Sequence, residues 1–379
     1  MIKRPSTLKI VLHLLLGILF FTSCKKDKEA APVNWPQGAG NFRIYTFGYN
    51  TFVVKEDGSL WGRGGGFSYA GNATPDGYMR VDENVLSIAV QQGSSLTSRM
   101  YLLKTDHTVW YREFQFSTDY TTILRRTAPV KITDNAAAIR AGSYFGLILK
   151  QDGTAWAIGR NLSGEFGNGS ESREDLPLTK IADGIRQIAA GYGSIFLIKN
   201  DHTLWSAGDN TYGNLGYETP GGASNIFRKV SDGIAIVRAK GNNTMVVKGD
   251  GSAWTFGSNA NGAQDLGMES QDPVYPRKIA DDVLDVFPHG ITSFFIKNDG
   301  GVWACGSNSS GQMGKGSPLE AFHYINVAGR VTHMSNTGRA THVVLLQNGN
   351  YVMAGGNKYR QLSQAGPEKI TALTPFKMP

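Results

Sequence analysis

The stretch FLIKNDHTLWSA, residues 196–207, decides the fold of this chain. Two apolar runs, Phe196–Ile198 and Leu204–Ala207, flank a polar segment that contains Asp201. Short apolar runs separated by turn residues predict two strands joined by a tight hairpin. Because both runs are nearly continuous in apolar residues, we expect the strands to be buried on both faces, as in sheets stacked face to face.

The same hairpin recurs along the chain at a nearly constant interval. Successive tryptophans at the position of Trp205 are 49, 46, 49, 49 and 49 residues apart, and one more interval of 49 reaches Val352 in the same frame. Seven units are therefore predicted. The tryptophans are Trp61, Trp110, Trp156, Trp205, Trp254 and Trp303.

Each unit has Asp or Asn four residues before the tryptophan position, and glycine follows in five of the seven units. These pairs favour a type I′ turn, which requires positive φ at both residues. His107 and His202 replace the glycine in two units and are interpreted as turn residues, not as catalytic ones.

Two further segments complete each unit of about 49 residues. One is an apolar run such as Ile234–Val237, and the other is a short Pro-x-Lys-Ile segment such as Pro276–Ile279. Four short strands per unit predict an all-β, seven-bladed β-propeller. The first unit begins at Asn41 without the second segment, which instead occurs at Pro367–Ile370. We therefore expect the C-terminal strand to complete the first blade and close the ring.

Composition excludes several classes of protein. With 379 residues the chain can bury roughly three quarters of its unfolded surface, so it needs no disulfides. It has two cysteines, and Cys305 is expected to be a small buried side chain. The formal charge of +7 falls to +4 without Lys3, Arg4 and Lys9, which is too small and too evenly spread to predict a nucleic-acid partner.

The N-terminus has the pattern of an export signal. Basic residues precede the apolar run Ile10–Phe21, and Ser23-Cys24 follows it. Residues 1–23 resemble a bacterial lipoprotein signal, which implies lipidation of Cys24 and an outer-membrane lipoprotein of the bacterial cell envelope. Ordinary secretion with a free Cys24 is the alternative. The charged segment 25–29 resembles surface-export signals or is a solvated tether, and we assign residues 24–40 as the tether and 41–379 as the propeller.

A second motif follows the tryptophan in several units. It reads Gly-x-Asn-x-x-Gly at 159–164, 208–213, 257–262 and 306–311. Together with the Asp-Gly turns and residues 189–194, it resembles the regulator of chromosome condensation repeat family over residues 41–379. The resemblance implies a propeller that works through its partners. Nuclear members act on a small GTPase and on chromatin, whereas a secreted bacterial propeller of similar repeats binds and inhibits β-lactamase.

The loops before and after each hairpin are expected on one face of the disk, opposite the Asp-Gly turns. Large side chains in these loops predict a partner-binding surface, since tyrosine and arginine are frequent anchors of protein interfaces. Packing of some of them onto neighbouring blades is the alternative. The candidates are Tyr49, Phe67, Tyr69, Tyr144, Phe145, Tyr192, Tyr212, His289, Arg339 and Tyr359.

No catalytic, metal-binding or cofactor-binding motif is found in the sequence, so we predict a monomeric binding scaffold that is not an enzyme. Its partner is expected to be an unidentified protein. Two alternatives are open: a glycan binder that uses the same aromatic loops, and a propeller-fold hydrolase or lyase acting on carbohydrate, since the Asp-Gly-x-x-Trp hairpins are similar to the aspartate boxes of sialidases.

Overall fold

The computed structural model describes residues 43–68, 73–92, 97–119, 121–219, 222–265, 272–289, 291–316, 321–337 and 342–379. These residues form seven sheets, each built mainly from antiparallel strands that follow one another along the chain. The seven-bladed β-propeller predicted from the tryptophan spacing is therefore confirmed. No helix in the described part of the chain is both long and apolar enough to cross a bilayer.

The strands are numbered in chain order. Blade 1 contains β1 Arg43–Phe47, β2 Asn50–Val54, β3 Leu60–Gly64 and β4 Met79–Asp82, with the short helix α1 Gly65–Ser68 after β3. Blade 2 contains β5 Val85–Gln92, β6 Thr97–Lys104, β7 Val109–Phe116, β8 Ile123–Arg126 and β9 Val130–Thr133. Blade 3 contains β10 Ala136–Ala141, β11 Phe145–Lys150, β12 Ala155–Asn161 and β13 Ser172–Ala182.

The remaining blades repeat this order. Blade 4 contains β14 Ile185–Ala190, β15 Ser194–Lys199, β16 Leu204–Asp209 and β17 Ala223–Ser231; blade 5 contains β18 Ile234–Lys240, β19 Asn243–Lys248, β20 Ala253–Gly257 and β21 Arg277–Ala280. Blade 6 contains β22 Val283–Pro288, β23 Thr292–Lys297, β24 Val302–Gly306 and β25 Ala321–Ala328. Blade 7 contains β26 Val331–Met334, β28 His342–Gln347, β29 Asn350–Gly356 and β30 Lys369–Pro375, and β27 Asn336–Thr337 pairs with β1.

Apolar packing between neighbouring blades holds the ring together. The described residues form seven buried apolar clusters, and each cluster joins one blade to the next, including blade 7 to blade 1. Strand β15 shows why, because its residues from Ser194 to Ile198 are all buried. Both of its faces contact another sheet, so burial does not alternate along the strand. The expectation of strands buried on both sides is confirmed.

The hairpin turns differ from the expected type in six of the seven blades. In blade 1, Gly58 N donates to Lys55 O at 3.0 Å and Lys55 N donates to Ser59 O at 3.0 Å, which leaves a three-residue loop. Only the glycine has positive φ, as in a type I turn followed by a left-handed residue. Blade 7 alone has the two-residue turn with positive φ at Asn348 and Gly349. The type I′ prediction is therefore wrong outside blade 7.

A hydrogen-bond relay explains the Asp and Trp positions of the repeat. In blade 4, Thr203 Oγ1 donates to Asp201 Oδ1 at 2.6 Å, and Trp205 Nε1 donates to Thr203 Oγ1 at 2.8 Å. Lys199 Nζ lies 4.0 Å from the centroid of the Trp205 ring. Blades 1, 2, 3 and 5 have the same Asp–hydroxyl–Trp relay. His202 has φ +64° in the glycine place, which supports its interpretation as a turn residue.

The structure corrects the expected closure of the ring. Strand β30, which contains Ile370, pairs with β29 and completes blade 7, whereas β4 is the outermost strand of blade 1. In blades 2, 3 and 5 as well, the Pro-x-Lys-Ile segment leads into or lies within the last strand, because the chain returns alongside the strand it has just left. The C-terminal strand does not complete the first blade.

Side chains and the C-terminal tail close the junction between blades 7 and 1. Phe376 is buried in an apolar cluster with residues of both blades. Tyr78 Oη donates to Lys377 O at 2.8 Å, and Lys55 Nζ donates to Pro379 O at 3.1 Å. Within the blades, Thr51 Oγ1 donates to Gln361 O at 2.7 Å. The tail therefore lies across blade 1 without adding a strand to it.

Candidate docking face

In each blade, a turn follows the first strand and a loop follows the third strand. Both lie on the same face of the propeller, which we call the loop face. In blade 3 the register pairs Phe145 with Gly159, and Arg160 N donates to Tyr144 O at 2.9 Å. In blade 4, Asp209 N donates to Gly193 O at 2.7 Å. The hairpin turns lie at the other end of the strands, on the hairpin face. The expected geometry of the two faces is confirmed.

The glycine of the Gly-x-Asn motif is required by a close backbone contact. Gly208 has φ +112°, and a Cβ atom there would lie 2.1 Å from Gly193 O. The asparagine holds the loop that follows. Asn161 Oδ1 accepts from Phe166 N at 2.9 Å, and its Nδ2 donates to Ser170 O at 2.7 Å. The first glycine and the asparagine of the motif therefore fix the backbone of the loop. The residues between the asparagine and the second glycine form its exposed tip.

Successive turns on this face are joined to each other. Ser143 N of blade 3 donates to Tyr192 O of blade 4 at 2.8 Å, and Tyr192 N donates to Gly241 O of blade 5 at 2.9 Å. A surface fixed by backbone bonds loses little conformational freedom when it binds a partner. The loop face of blades 3 to 5 is thus preorganised.

The structure places five of the expected binding residues where a partner could reach them. The side chains of Tyr144 and Tyr212 are exposed, at 38% and 42%. Tyr192 is half-buried between blades. Tyr49 and Tyr359 are also half-buried, and their rings contact each other with centroids 4.3 Å apart across the junction of blades 1 and 7.

Three expected binding residues are buried instead, which corrects their assignment. Phe67 and Phe145 are fully buried, with Phe67 packed edge-on against the ring of Phe52. His289 is 3% exposed and its ring lies 5.1 Å from that of Phe294. All three contribute to the core between blades and cannot contact a partner. Tyr69 and Arg339 lie outside the described residues, as does the lipidation candidate Cys24 with the rest of residues 1–42.

Three exposed apolar side chains of this face were not identified from the sequence. They are Leu162, Tyr275 and Ile291, with exposures of 36%, 58% and 44%. Leu162 occupies the tip of its Gly-x-Asn loop, and this position could have revealed it. We define the loop patch as the exposed side chains Tyr144, Leu162, Tyr212, Tyr275 and Ile291, which belong to four consecutive blades.

One buried carboxylic acid departs from the repeat. Glu165 is 2% exposed and occupies the place of Gln312, whose Nε2 donates to Ser307 O at 2.7 Å in blade 6. Glu165 accepts from Ser163 N at 2.9 Å, but a carboxylate has no proton to donate to the neighbouring carbonyl. Burial raises the pKa of Glu165 to about 7, and the negative charge of Asp209 adds to the shift.

The described residues contain no group of three or more His, Cys, Asp or Glu side chains placed to hold a metal ion. Cys305 is fully buried, as predicted, and burial raises the pKa of its thiol to about 12. The thiol lies beside Tyr324 in blade 6 and is unreactive, because it stays protonated.

The strand order defines the chain as a seven-bladed β-propeller. Structure comparison finds the same fold in yeast RCC1 (Prp20) bound to Kap60, with a TM-score of 0.63, 15% identity and 78% of each chain covered. Human WBSCR16 matches with a TM-score of 0.63, 17% identity, 80% of this chain and 85% of the other. Prp20p from Saccharomyces cerevisiae matches with a TM-score of 0.62, 14% identity, 78% of this chain and 80% of the other.

These likenesses show an RCC1-like repeat fold. No family model and no curated protein matches the sequence.

Proposed function

We propose that the chain is an exported lipoprotein of the bacterial cell envelope that binds a protein partner through the loop patch. The observation that carries this proposal is the exposure of large apolar side chains on one face of four consecutive blades. Exposed apolar groups that lie together mark interaction surfaces. Tyrosine is also well suited to such a surface, because its rigid ring loses little entropy and its hydroxyl can remain hydrated.

The neighbouring structures support a protein as the partner. Both yeast structures are of Prp20, which is bound to Kap60 in one structure and is described with its binding to Gsp1p and histones in the other. For this chain the partner differs, because the signal-like segment before Cys24 supports export. The domain is therefore proposed to act outside the cytoplasm, as a monomer held to the membrane by lipid on Cys24.

A pull-down with matched variants tests the binding face. In the patch variant, Tyr144, Tyr212 and Tyr275 are changed to Ser, and in the rim variant Leu124, Val130 and Ile325 are changed to Ser. The rim residues are equally exposed but lie on outer strands. A partner retained by the wild-type protein and the rim variant should be lost from the patch variant by about tenfold or more, with the melting temperature unchanged.

Equal retention by the patch variant would reject the loop patch as the binding surface. Elution of the retained molecule by free oligosaccharide would instead identify a glycan ligand, and turnover of sialosides or polysaccharides by the wild-type chain would identify an enzyme. Anchoring is tested separately with Cys24→Ser, which should abolish palmitate labelling and release the protein from the membrane fraction.

A further inference from the structure

The central channel contains two adjoining cavities near its loop-face end. Their volumes are about 50 Å³ and about 80 Å³. Both are lined by the last residues of first strands, and they share Arg140, Ala190, Ala239 and Lys240. One ordered water needs roughly 10–15 Å³ of such space, so each cavity has room for several water-sized groups.

Two cations on these walls form no ion pair in the described part of the chain. Lys240 lies with its Nζ 5.7 Å from the centroid of the Phe47 ring, and it makes no ion pair with any residue that the structure describes. The Arg140 guanidinium donates to Ile139 O at 2.8 Å and likewise forms no ion pair within the described ranges. Both side chains are half-buried, so the channel walls surround them while the channel space remains accessible to them.

The nearby carboxylate is already engaged. Asp285 Oδ1 accepts from Arg238 Nε at 3.3 Å, and its Oδ2 accepts from Arg238 Nη2 at 3.1 Å. This bidentate pair neutralises Arg238. Asp285 also attracts Arg140 and opposes the fall of its pKa, but within the described ranges it makes no ion pair with Arg140 or Lys240. Burial and the positive charge of Arg238 lower the pKa of Arg140 to about 10, and burial lowers the pKa of Lys240 to about 8.

Enclosed charges without counter-ions are costly, and an anion between them removes much of the cost. We propose that the channel, at the level of Arg140 and Lys240, binds one small oxyanion. Its two cations match the double charge of a tetrahedral dianion, and the guanidinium can donate two parallel hydrogen bonds to such an ion. This site lies apart from the loop patch, and its occupation does not depend on the protein partner.

Calorimetric titration of the full chain with sulfate tests the site, because sulfate keeps its charge across neutral pH. Saturable binding of one sulfate per chain is expected. Lys240→Met keeps the apolar stem beside Phe47 but removes the charge, so the affinity should fall about tenfold or more. Arg140→Gln should have a similar effect. Lys180→Met is the control, since Lys180 lies on the outer strand β13, exposed and paired with Asp183 at 2.5 Å.

Heats that do not saturate for the wild-type chain, or equal affinity in Lys240→Met, would overturn the proposal. Folding of the variants is checked by melting without sulfate. Without sulfate, the melting temperature of Lys240→Met should be no lower than that of the wild-type protein, because the variant removes a charge that has no counter-ion. If Arg140→Gln does not fold, the Lys240→Met and Lys180→Met pair decides alone.

The pH dependence gives a second readout. Sulfate affinity should fall as the pH rises through about 8, where Lys240 loses its proton, and Lys240→Met should abolish this fall. Arg140 stays charged in this range, and His289 stays neutral because burial lowers its pKa to about 3. Affinity that is independent of pH would exclude Lys240 from the site. Among the residues that the structure describes, the other charged or titratable groups near the channel are Arg43, Tyr45, Arg238, Asp285 and His333.

Discussion

The two faces of the propeller are built from one repeat but use it differently. On the hairpin face, five blades make the same Asp–hydroxyl–Trp relay, with the Trp Nε1 to hydroxyl distance between 2.8 and 2.9 Å. On the loop face, the Gly and Asn of the motif recur, but the exposed tip is Leu162 in blade 3 and Tyr212 in blade 4. Repeated positions therefore build the ring, and the positions that change are the exposed ones available to a partner.

The largest loss of stability is expected at the first glycine of the Gly-x-Asn motif, beneath the exposed loop tips. Gly208→Ala should destabilise the protein by about 3 kcal/mol or more, because alanine tolerates φ +112° poorly and its Cβ would overlap Gly193 O. Gly233→Ala is the control, since Gly233 also has positive φ but a Cβ added there would meet no atom within 4 Å. It should cost only about 1 kcal/mol. Similar losses in urea unfolding for both variants would mean that the close contact does not matter.

The second-largest loss of stability is expected at the junction between blades 7 and 1. Phe376→Ala should cost about 2–3 kcal/mol, less than is usual for a buried phenylalanine, because a chain end can move to fill the space. Unfolding should stay cooperative, since β30 completes blade 7 and remains in place. Met378→Ala, next to the same cluster, should cost less. A loss of less than about 1 kcal/mol for Phe376→Ala would show that the tail does not contribute to closure.

The sequence predicted the blades because each one repeats a local pattern. Apolar runs on both sides of Asp201 were sufficient for a hairpin buried on both faces, and the tryptophan interval was sufficient for seven units. The assignment of the last strand failed because its segment lies between two hairpins. Spacing alone does not say whether Pro276–Ile279 pairs with the strand before it or belongs to the blade after it. Only the register of the sheet distinguishes these cases.

The candidate site was predicted less well, since the direction of a loop side chain depends on its neighbours. Tyr144 and Phe145 are adjacent in sequence, yet the first is 38% exposed and the second is fully buried, because β11 begins at Phe145 and places its side chain between blades. Tyr275 was missed because it lies near the end of its loop, far along the chain from the Gly-x-Asn motif at 257–262. The basic channel was missed since Arg140 and Lys240 come from different blades.

A smaller effect on stability is expected at Glu165, which occupies the place of Gln312 in the loop-face motif. Glu165→Gln should stabilise the protein by about 1–2 kcal/mol at pH 8, because glutamine supplies the missing donor and carries no charge. The folded-state pKa of about 7 lies above the unfolded value, so the wild-type protein loses stability as the pH rises from about 4.5 to 7. The variant should lack this loss. Glu174→Gln, an exposed residue of β13, should change neither quantity, and an unaltered pH profile for Glu165→Gln would contradict the role of burial.

The smallest effect comes from completing the hairpin relay in blade 6. Gly301 replaces the hydroxyl residue there, and a Cβ at this position would lie 3.0 Å from Asp299 Oδ1 and 3.5 Å from Trp303 Nε1. Gly301→Ser should therefore bridge the two groups and raise the free energy of unfolding by about 1 kcal/mol. Gly301→Ala provides the comparison, because it restricts the unfolded chain without adding a hydroxyl. Equal stability of the two variants would mean that the relay orients the tryptophan without stabilising the fold, whereas a gain confined to serine would show that the relay itself stabilises each blade.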